Sequence, residues 1–187
     1  RSLEDGLELE AKYFSESFKT AIPSYLINLF FSQETQKKAM VSSIKPLPIR
    51  QAGVIGAGLM GSGIAWSFSH RQIPVVLKDI KELDVLKGLK SVDSINKQLL
   101  KRRRLTKREV NLAKFSVSPT LSYTELKSVD FIVEAVLEKM DVKKGVYSEL
   151  ESLVKPTTII ASNTSSLSID ELAENLDKPE RFIGMHF

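Results

Sequence analysis

The sequence predicts an α/β fold, in which a helical connector precedes a doubly wound, mainly parallel sheet. Two observations support this prediction. From Gln51 onward, short apolar runs alternate with longer helical stretches, the pattern of a parallel sheet that is covered on both faces. A glycine-rich turn directly follows the first apolar run, as is usual where a buried strand turns sharply into a helix.

The composition narrows the classes of protein that are possible. Hydrophobic residues make up 42% and charged residues 27% of the 187 residues, the balance of a globular protein that can bury a core. No apolar stretch approaches the roughly 20 residues of a transmembrane helix, and the acidic start is not a secretory signal. The absence of cysteine excludes disulfides, thiolate metal sites and cysteine nucleophiles; it fits a reducing compartment, and we predict no metal site.

The first 48 residues are predicted to form a helical connector and linker, and residues 49–187 a second domain. Apolar and acidic residues mix at amphipathic spacing in the first helix, and Pro23 opens the second, since proline is tolerated in a first helical turn. Ser42–Pro48 contains two prolines, and its apolar residues show no helical or strand periodicity, so it is predicted to be a linker. A helical pair this short has little core, and we expect it to pack on the next domain or on a segment outside this sequence.

The second domain is predicted to alternate strands and helices. The predicted strands are Ala52–Ile55, Pro74–Leu77, Asp130–Val133, Thr158–Ala161 and Phe182–Gly184. The predicted helices cover about 59–70, 82–103, 106–113, 139–154 and 168–175.

The turn after the first strand contains the spacing G-x-G-x-x-G at Gly56, Gly58 and Gly61. In a Rossmann-type domain the first glycine permits the tight turn, the second lets a pyrophosphate approach, and the third lets helix and strand pack closely. Asp79 ends the next strand 18 residues after Gly61, where an acid that binds the adenosine ribose belongs. Its carboxylate favours NAD over NADP, although the adjacent Lys78 and Lys81 weaken that preference slightly.

Polar residues follow each of the later strands, where ligands bind in open α/β sheets. They are Glu134 and Glu138, the run Ser162–Ser166, and His186. Each has an ordinary structural interpretation: the glutamates complement a helix dipole, the hydroxyl run caps a helix, and the histidine simply ends a strand. Together they indicate a dehydrogenase, because a histidine can accept the proton of an alcohol while hydride leaves the same carbon.

Four segments of the second domain resemble the L-3-hydroxyacyl-CoA dehydrogenases, a resemblance that runs from about Gln51 to the last residue. These segments are Gly56–Ala65, Val133–Val136 with Glu138, Ala161–Leu167 and Gly184–Phe187. Leu3–Ala11 resembles the connector between the hydratase and dehydrogenase parts in the α subunit of the multifunctional β-oxidation protein. The resemblance implies oxidation of L-3-hydroxyacyl-CoA to 3-ketoacyl-CoA with NAD. It also implies a preceding hydratase domain, a following helical dehydrogenase domain and a thiolase subunit as partners.

The resemblance also implies residue roles. His186 would be the catalytic base, and Ser165 would bind the substrate hydroxyl. The cofactor-binding residues implied are Gly56, Gly58, Leu59, Met60, Gly61, Asp79, Val136, Glu138, Lys143 and Ser165. In the family, a glutamate orients the histidine and an asparagine follows it; both would lie beyond Phe187, so we expect this chain by itself to lack activity.

A basic cluster ends the long helix that follows Asp79; it contains Lys97, Lys101, Arg102, Arg103 and Arg104. It is interpreted as a solvated helix end whose cations complement the dipole. The resemblance offers Arg102 as a contact to the phosphates of coenzyme A. The net charge of +4 also suits nucleic acid. However, no aromatic residues are interleaved with the cluster and no binding motif accompanies it, so we do not expect the chain to bind nucleic acid.

Two hypotheses of different classes follow for the whole chain. The first is the NAD-binding part of a 3-hydroxyacyl-CoA dehydrogenase. The second is a binding or scaffold module that keeps the fold and the cofactor site without catalysis. The expected location is the bacterial cytoplasm, with peroxisome and mitochondrion as the alternatives.

Overall fold

A computed structural model describes residues 2–39 and 46–187. The chain divides into two compact units, Arg1–Leu47 and Pro48–Phe187. Of the predicted linker Ser42–Pro48, residues 42–45 lie outside the described residues.

The first unit consists of two helices, α1 over Leu3–Ser17 and α2 over Ile22–Ala39. A capping box starts α1: Ser2 Oγ accepts from the backbone N–H of Asp5 at 3.1 Å, and the Ser2 N–H donates to the Asp5 carboxylate at 2.8 Å. None of the described residues of α1 is buried. Among the helices that the structure describes, none has both the length and the apolarity needed to cross a membrane.

The second unit is built on a parallel sheet of six strands in the order β3-β2-β1-β4-β5-β6. The strands are β1 Ala52–Ile55, β2 Val75–Lys78, β3 Val117–Thr120, β4 Phe131–Glu134, β5 Ile159–Ser162 and β6 Phe182–Gly184. The helices are α3 Leu59–His70, α4 Glu82–Lys101, α5 Lys107–Phe115, α6 Met140–Glu151 and α7 Ile169–Ala173. This strand order confirms the predicted Rossmann-type, doubly wound fold, and the five predicted strands are all present within one residue of the predicted bounds.

Strand β3 is not among the predicted strands. Its second half contains Pro119, and proline is excluded from central strands. The structure shows why the residue is tolerated. Ser116 and Thr120 turn their carbonyl groups toward β2, where they accept from the N–H groups of Val75 and Asp79 at 2.8 and 3.3 Å. Since alternate residues of a strand face opposite sides, the nitrogen of Pro119 points away from β2 at the sheet edge, where no donor is needed.

Side chains along each strand point alternately to the two faces of the sheet. Both faces are apolar, and helices pack on each of them to form two cores. On one face, Val54 and Leu77 pack with Ile64 of α3 and Val92 of α4. On the other face, the buried cluster contains Ile55, Val76, Ile132, Ile160, Tyr147, Leu150 and Leu172, the last three from α6 and α7. Strands buried on both faces explain the continuous apolar runs in the sequence.

Candidate functional site

Strand β1 lies at the point where the strand order reverses. It pairs with β2 on one side and with β4 on the other, so the connections that leave their carboxyl ends diverge and open a crevice. In open α/β sheets, ligands bind in this crevice.

The glycine turn lies at the mouth of the crevice, and each predicted glycine has a distinct geometric reason. Gly56 has a φ of +98°, and a Cβ there would lie 2.4 Å from the carbonyl oxygen of Ala135. A Cβ on Gly61 would lie 1.7 Å from the carbonyl oxygen of Gly56, so only glycine lets α3 approach β1 this closely. Gly58 differs, because a Cβ there would meet nothing within 4 Å.

Gly58 is the residue that precedes the first turn of α3, and its open side faces solvent. Because glycine has no side chain, it cannot cap the helix, and the first N–H groups of α3 stay available to a ligand. These groups and the positive end of the helix dipole are the features that suit a phosphate group. Leu59 and Met60, which begin the helix, are 88% and 39% exposed.

Asp79 lies against the glycine turn as the sequence predicts. Its carboxylate accepts hydrogen bonds from the N–H of Ala57 at 2.7 Å and of Ile80 at 2.6 Å. The side chain of Lys78 is buried, and its ammonium lies 3.6 Å from the centroid of the Tyr123 ring. Burial lowers the pKa of Lys78, although the charges of Glu149 and Asp79 partly oppose this. The aromatic ring engages this cation, so Lys78 is not free to bind a 2′-phosphate.

A buried polar network lies at the carboxyl end of β4, and Glu134 is its centre. One carboxylate oxygen accepts from the N–H of Val136 and from Lys143 Nζ, both at 2.7 Å. The other accepts from Ser162 Oγ at 2.8 Å and from the hydroxyl of Tyr147. Burial and the Glu134 charge raise the pKa of Tyr147, so its hydroxyl stays protonated as a donor.

Glu138 joins this network to the hydroxyl run. Its carboxylate lies 3.2 Å from Lys143 Nζ and accepts from the N–H of Ser165 at 3.0 Å and from the hydroxyl of Thr164. Burial alone would raise the pKa of Glu138, but the hydrogen bonds from Thr164, Ser165 and Lys143 outweigh it and lower the pKa to about 2. The hydroxyl run therefore binds a carboxylate, and Ser168, outside the run, caps α7 instead.

Strand β6 brings the predicted catalytic histidine to the same edge of the sheet. The Met185 N–H donates to the Ser162 carbonyl at 2.9 Å, and the Phe187 N–H donates to Asn163 Oδ1 at 3.1 Å. Ser165 and His186 thus follow two neighbouring parallel strands, and both side chains are exposed. The backbone after β6 therefore lies beside the hydroxyl run after β5, and the roles of Ser165 and His186 stay predictions.

Arg102 is not part of this group. It ends α4, which starts at the carboxyl edge with Glu82 and has 20 residues, a length of about 30 Å. Lys97 of the same basic cluster is paired with Asp93 at 2.6 Å. The role of Arg102 toward coenzyme A stays a prediction.

The sequence did not reveal that Glu134 has a buried ion-pair partner. From the sequence alone, Glu134 is interpreted as a complement to the helix dipole. In the structure its carboxylate instead accepts hydrogen bonds from Lys143, Tyr147 and Ser162. One signal was present: Lys143 and Tyr147 are four residues apart on α6, so they share one helix face. That the face meets the end of β4 follows only from the packing.

The strand order, the glycine turn and the acid that follows β2 define a Rossmann-type dinucleotide-binding domain. Residues 51–187 match the family described as 3-hydroxyacyl-CoA dehydrogenase, NAD binding domain. The chain belongs to this family, and NAD is its cofactor.

Curated relatives agree with this assignment. The fatty acid oxidation complex subunit alpha of Pseudomonas putida strain F1 is 40% identical over 183 residues, which are 97% of this chain and 26% of the relative. The protein of the same name in Acinetobacter baumannii strain SDF is 38% identical over 98% of this chain and 26% of its own length. The chain thus spans about a quarter of the length of the relatives it matches.

Solved structures also share the fold. (S)-3-hydroxybutyryl-CoA dehydrogenase PaaH1 of Ralstonia eutropha is 39% identical with a TM-score of 0.73, and the match covers 75% of this chain and 50% of that one. 3-hydroxybutyryl-CoA dehydrogenase of Escherichia coli K12 is 30% identical with a TM-score of 0.74, covering 75% of this chain and 30% of that one.

Proposed function

We propose that the chain is the NAD-binding part of an enzyme that oxidises L-3-hydroxyacyl-CoA to 3-ketoacyl-CoA in fatty acid β-oxidation. The observation that carries the proposal is the common edge of the sheet: Ser165 and His186 follow neighbouring strands at the edge that also holds the glycine turn. A dehydrogenase needs a hydride acceptor and a base at one carbon atom, and this edge can provide both.

The residues fit the cofactor in two respects. The open space at Gly58 and the free N–H groups of α3 suit a pyrophosphate, and the carboxylate of Asp79 suits a ribose that lacks a 2′-phosphate. Val136 and Glu138 follow β4, on the side where the second half of the dinucleotide would lie. Lys143 is buried and paired with Glu134 and Glu138, so it would act on the cofactor through Glu138. NAD, when bound, supplies the hydride acceptor.

His186 would accept the proton of the 3-hydroxyl group as the carbonyl forms, and Ser165 would hold that oxygen by a hydrogen bond. The N–H of Ser165 is held by Glu138, which fixes the backbone at this residue. Because the backbone is fixed, the position of the Ser165 hydroxyl depends only on the rotation of its own short side chain.

The proposal extends to the partners and the location. The bacterial relatives are named as subunits of a fatty acid oxidation complex, which supports a longer polypeptide with a hydratase domain, a helical dehydrogenase domain and a thiolase subunit beside it. It also supports the bacterial cytoplasm as the location. Arg102 remains the candidate for coenzyme A.

Calorimetry of this chain with NAD and NADH tests the cofactor part, and no heat of binding at millimolar cofactor would refute it. The catalytic part is tested in the longer polypeptide with L-3-hydroxybutyryl-CoA. There, His186→Gln should reduce kcat at least about 100-fold, the usual range for general-base catalysis, and leave the Kd of NADH nearly unchanged. Full retained activity would refute the role of His186.

A scaffold module without catalysis is the second candidate. The observation that favours it is that the glycine turn and Asp79, which suit the cofactor, are complete without His186. The same turnover assay decides: NAD binding without oxidation of the thioester substrate in the longer polypeptide would favour the scaffold.

A further inference from the structure

Glu134 is fully buried, yet the reaction proposed above assigns it no role. A buried carboxylate is costly unless it is paired and hydrogen-bonded. Glu134 meets this requirement with the N–H of Val136 and the side chains of Lys143, Tyr147 and Ser162 as donors. Well-packed hydrophobic residues often serve as well as a buried ion pair, so a functional explanation for the charge is worth testing.

The four donors come from three segments that border the crevice. Val136 belongs to the loop after β4, Lys143 and Tyr147 belong to α6, and Ser162 ends β5. Glu134 therefore fixes the loop after β4 relative to the hydroxyl run after β5. Lys143 extends this connection to Glu138, which holds Ser165.

The charges of this cluster do not cancel. Two carboxylates, Glu134 and Glu138, share one ammonium, Lys143, which leaves a formal charge of −1. The cluster lies in the half of the sheet formed by β4, β5 and β6. Because Asp79 and the glycine turn mark the other half as the adenosine side, this half is the nicotinamide side of a dinucleotide fold.

We propose that Glu134 is a positioning residue that gives the nicotinamide side of the crevice its net negative charge, so that the site prefers the oxidised cofactor. The proposal rests on NAD binding as proposed above. The oxidised nicotinamide ring carries a positive charge and the reduced ring none. A fixed charge of −1 therefore stabilises the oxidised form selectively, while a purely structural role would affect both forms equally.

The test is Glu134→Gln in this chain, with the Kd of NAD and of NADH measured by calorimetry. Glutamine keeps the shape of the side chain and removes its charge. Over about 10 Å at an effective dielectric constant of about 20, loss of one charge should raise the ratio of Kd for NAD to Kd for NADH roughly tenfold. Tyr147→Phe is the matched control, because it removes one donor to the same carboxylate and leaves all charges in place. Its ratio should stay within about twofold of the native value.

An equal rise in both dissociation constants for Glu134→Gln would overturn the proposal and leave only a structural role. Circular dichroism shows whether the variant folds. If it does not fold, Glu138→Gln decides, because it removes a charge from the same cluster at a partly exposed position. A rise of the ratio in the same direction supports the proposal, and an unchanged ratio overturns it. Failure of the native chain to bind either cofactor would refute the proposed function itself.

Discussion

Three glycines in one short segment give a matched set of substitutions that separates cofactor binding from folding. Gly58→Ala places a methyl group in open space, since a Cβ there meets nothing within 4 Å, and its φ of −69° is ordinary for alanine. The fold should lose about 0.5 kcal/mol, because alanine is a poorer residue than glycine at this helix position. The methyl group would, however, hold a pyrophosphate away from the first N–H groups of α3.

The loss of binding can be estimated from those hydrogen bonds. A bond from an N–H to a charged oxygen contributes about 1.5–3 kcal/mol, so Gly58→Ala should raise the Kd of NAD about 10- to 100-fold. Gly61→Ala should act on the fold instead. Its Cβ would lie 1.7 Å from the carbonyl oxygen of Gly56, and the helix must shift at a cost of about 3 kcal/mol.

Gly63→Ala is the control within the same helix. A Cβ there also meets nothing within 4 Å, and alanine stabilises a helix interior by about 0.5–1 kcal/mol relative to glycine. Calorimetry for the Kd and thermal unfolding for Tm measure the two effects. Gly61→Ala should lower Tm by about 10 °C, and Gly63→Ala should raise it by about 2 °C. Native NAD affinity in Gly58→Ala at an unchanged Tm would refute the assignment of this turn to the pyrophosphate.

Two further predictions concern the carboxylates. Asp79→Asn should weaken NAD binding about tenfold, since the ribose hydroxyl would lose its hydrogen bond to a charged acceptor, and should reduce the ratio of the Kd of NADP to the Kd of NAD; an unchanged ratio in calorimetry would contradict the role of Asp79. The pKa of Glu138, lowered from 4.5 to about 2, means that its contribution to stability is present above pH 4.5 and is lost as the pH falls toward 2. Tm should therefore fall over this range, and less steeply in Glu138→Gln; identical slopes would argue against these hydrogen bonds.

The strands and the glycine turn were predictable because their signals are local. Ala52–Ile55 is an apolar run that is followed directly by glycine. Only glycine fits the positive φ at position 56 and the close approach of helix and strand at position 61. The position of Asp79 was also predictable, since it follows the next strand at a fixed spacing from the turn. Each of these features is encoded within a few residues or within one βαβ unit.

The features that were missed depend on contacts between distant segments. Glu134 and Ser162 are 28 residues apart in sequence, and their bond exists only because β4 and β5 are neighbours in parallel register. Strand β3 was missed for a related reason. Pro119 argues against a strand unless the strand lies at an edge with the proline facing outward, and only the strand order shows this position.

The outward-facing nitrogen of Pro119 also affects whether a strand of another molecule can add to the sheet at β3. An edge strand with free N–H groups can serve as a template for a strand of another molecule. At β3 the row of donors is interrupted at Pro119, so a further strand could not form a continuous ladder there. Within the sheet of this chain, Pro119 thus makes the edge a poorer template for aggregation by strand addition than an uninterrupted row of donors would be.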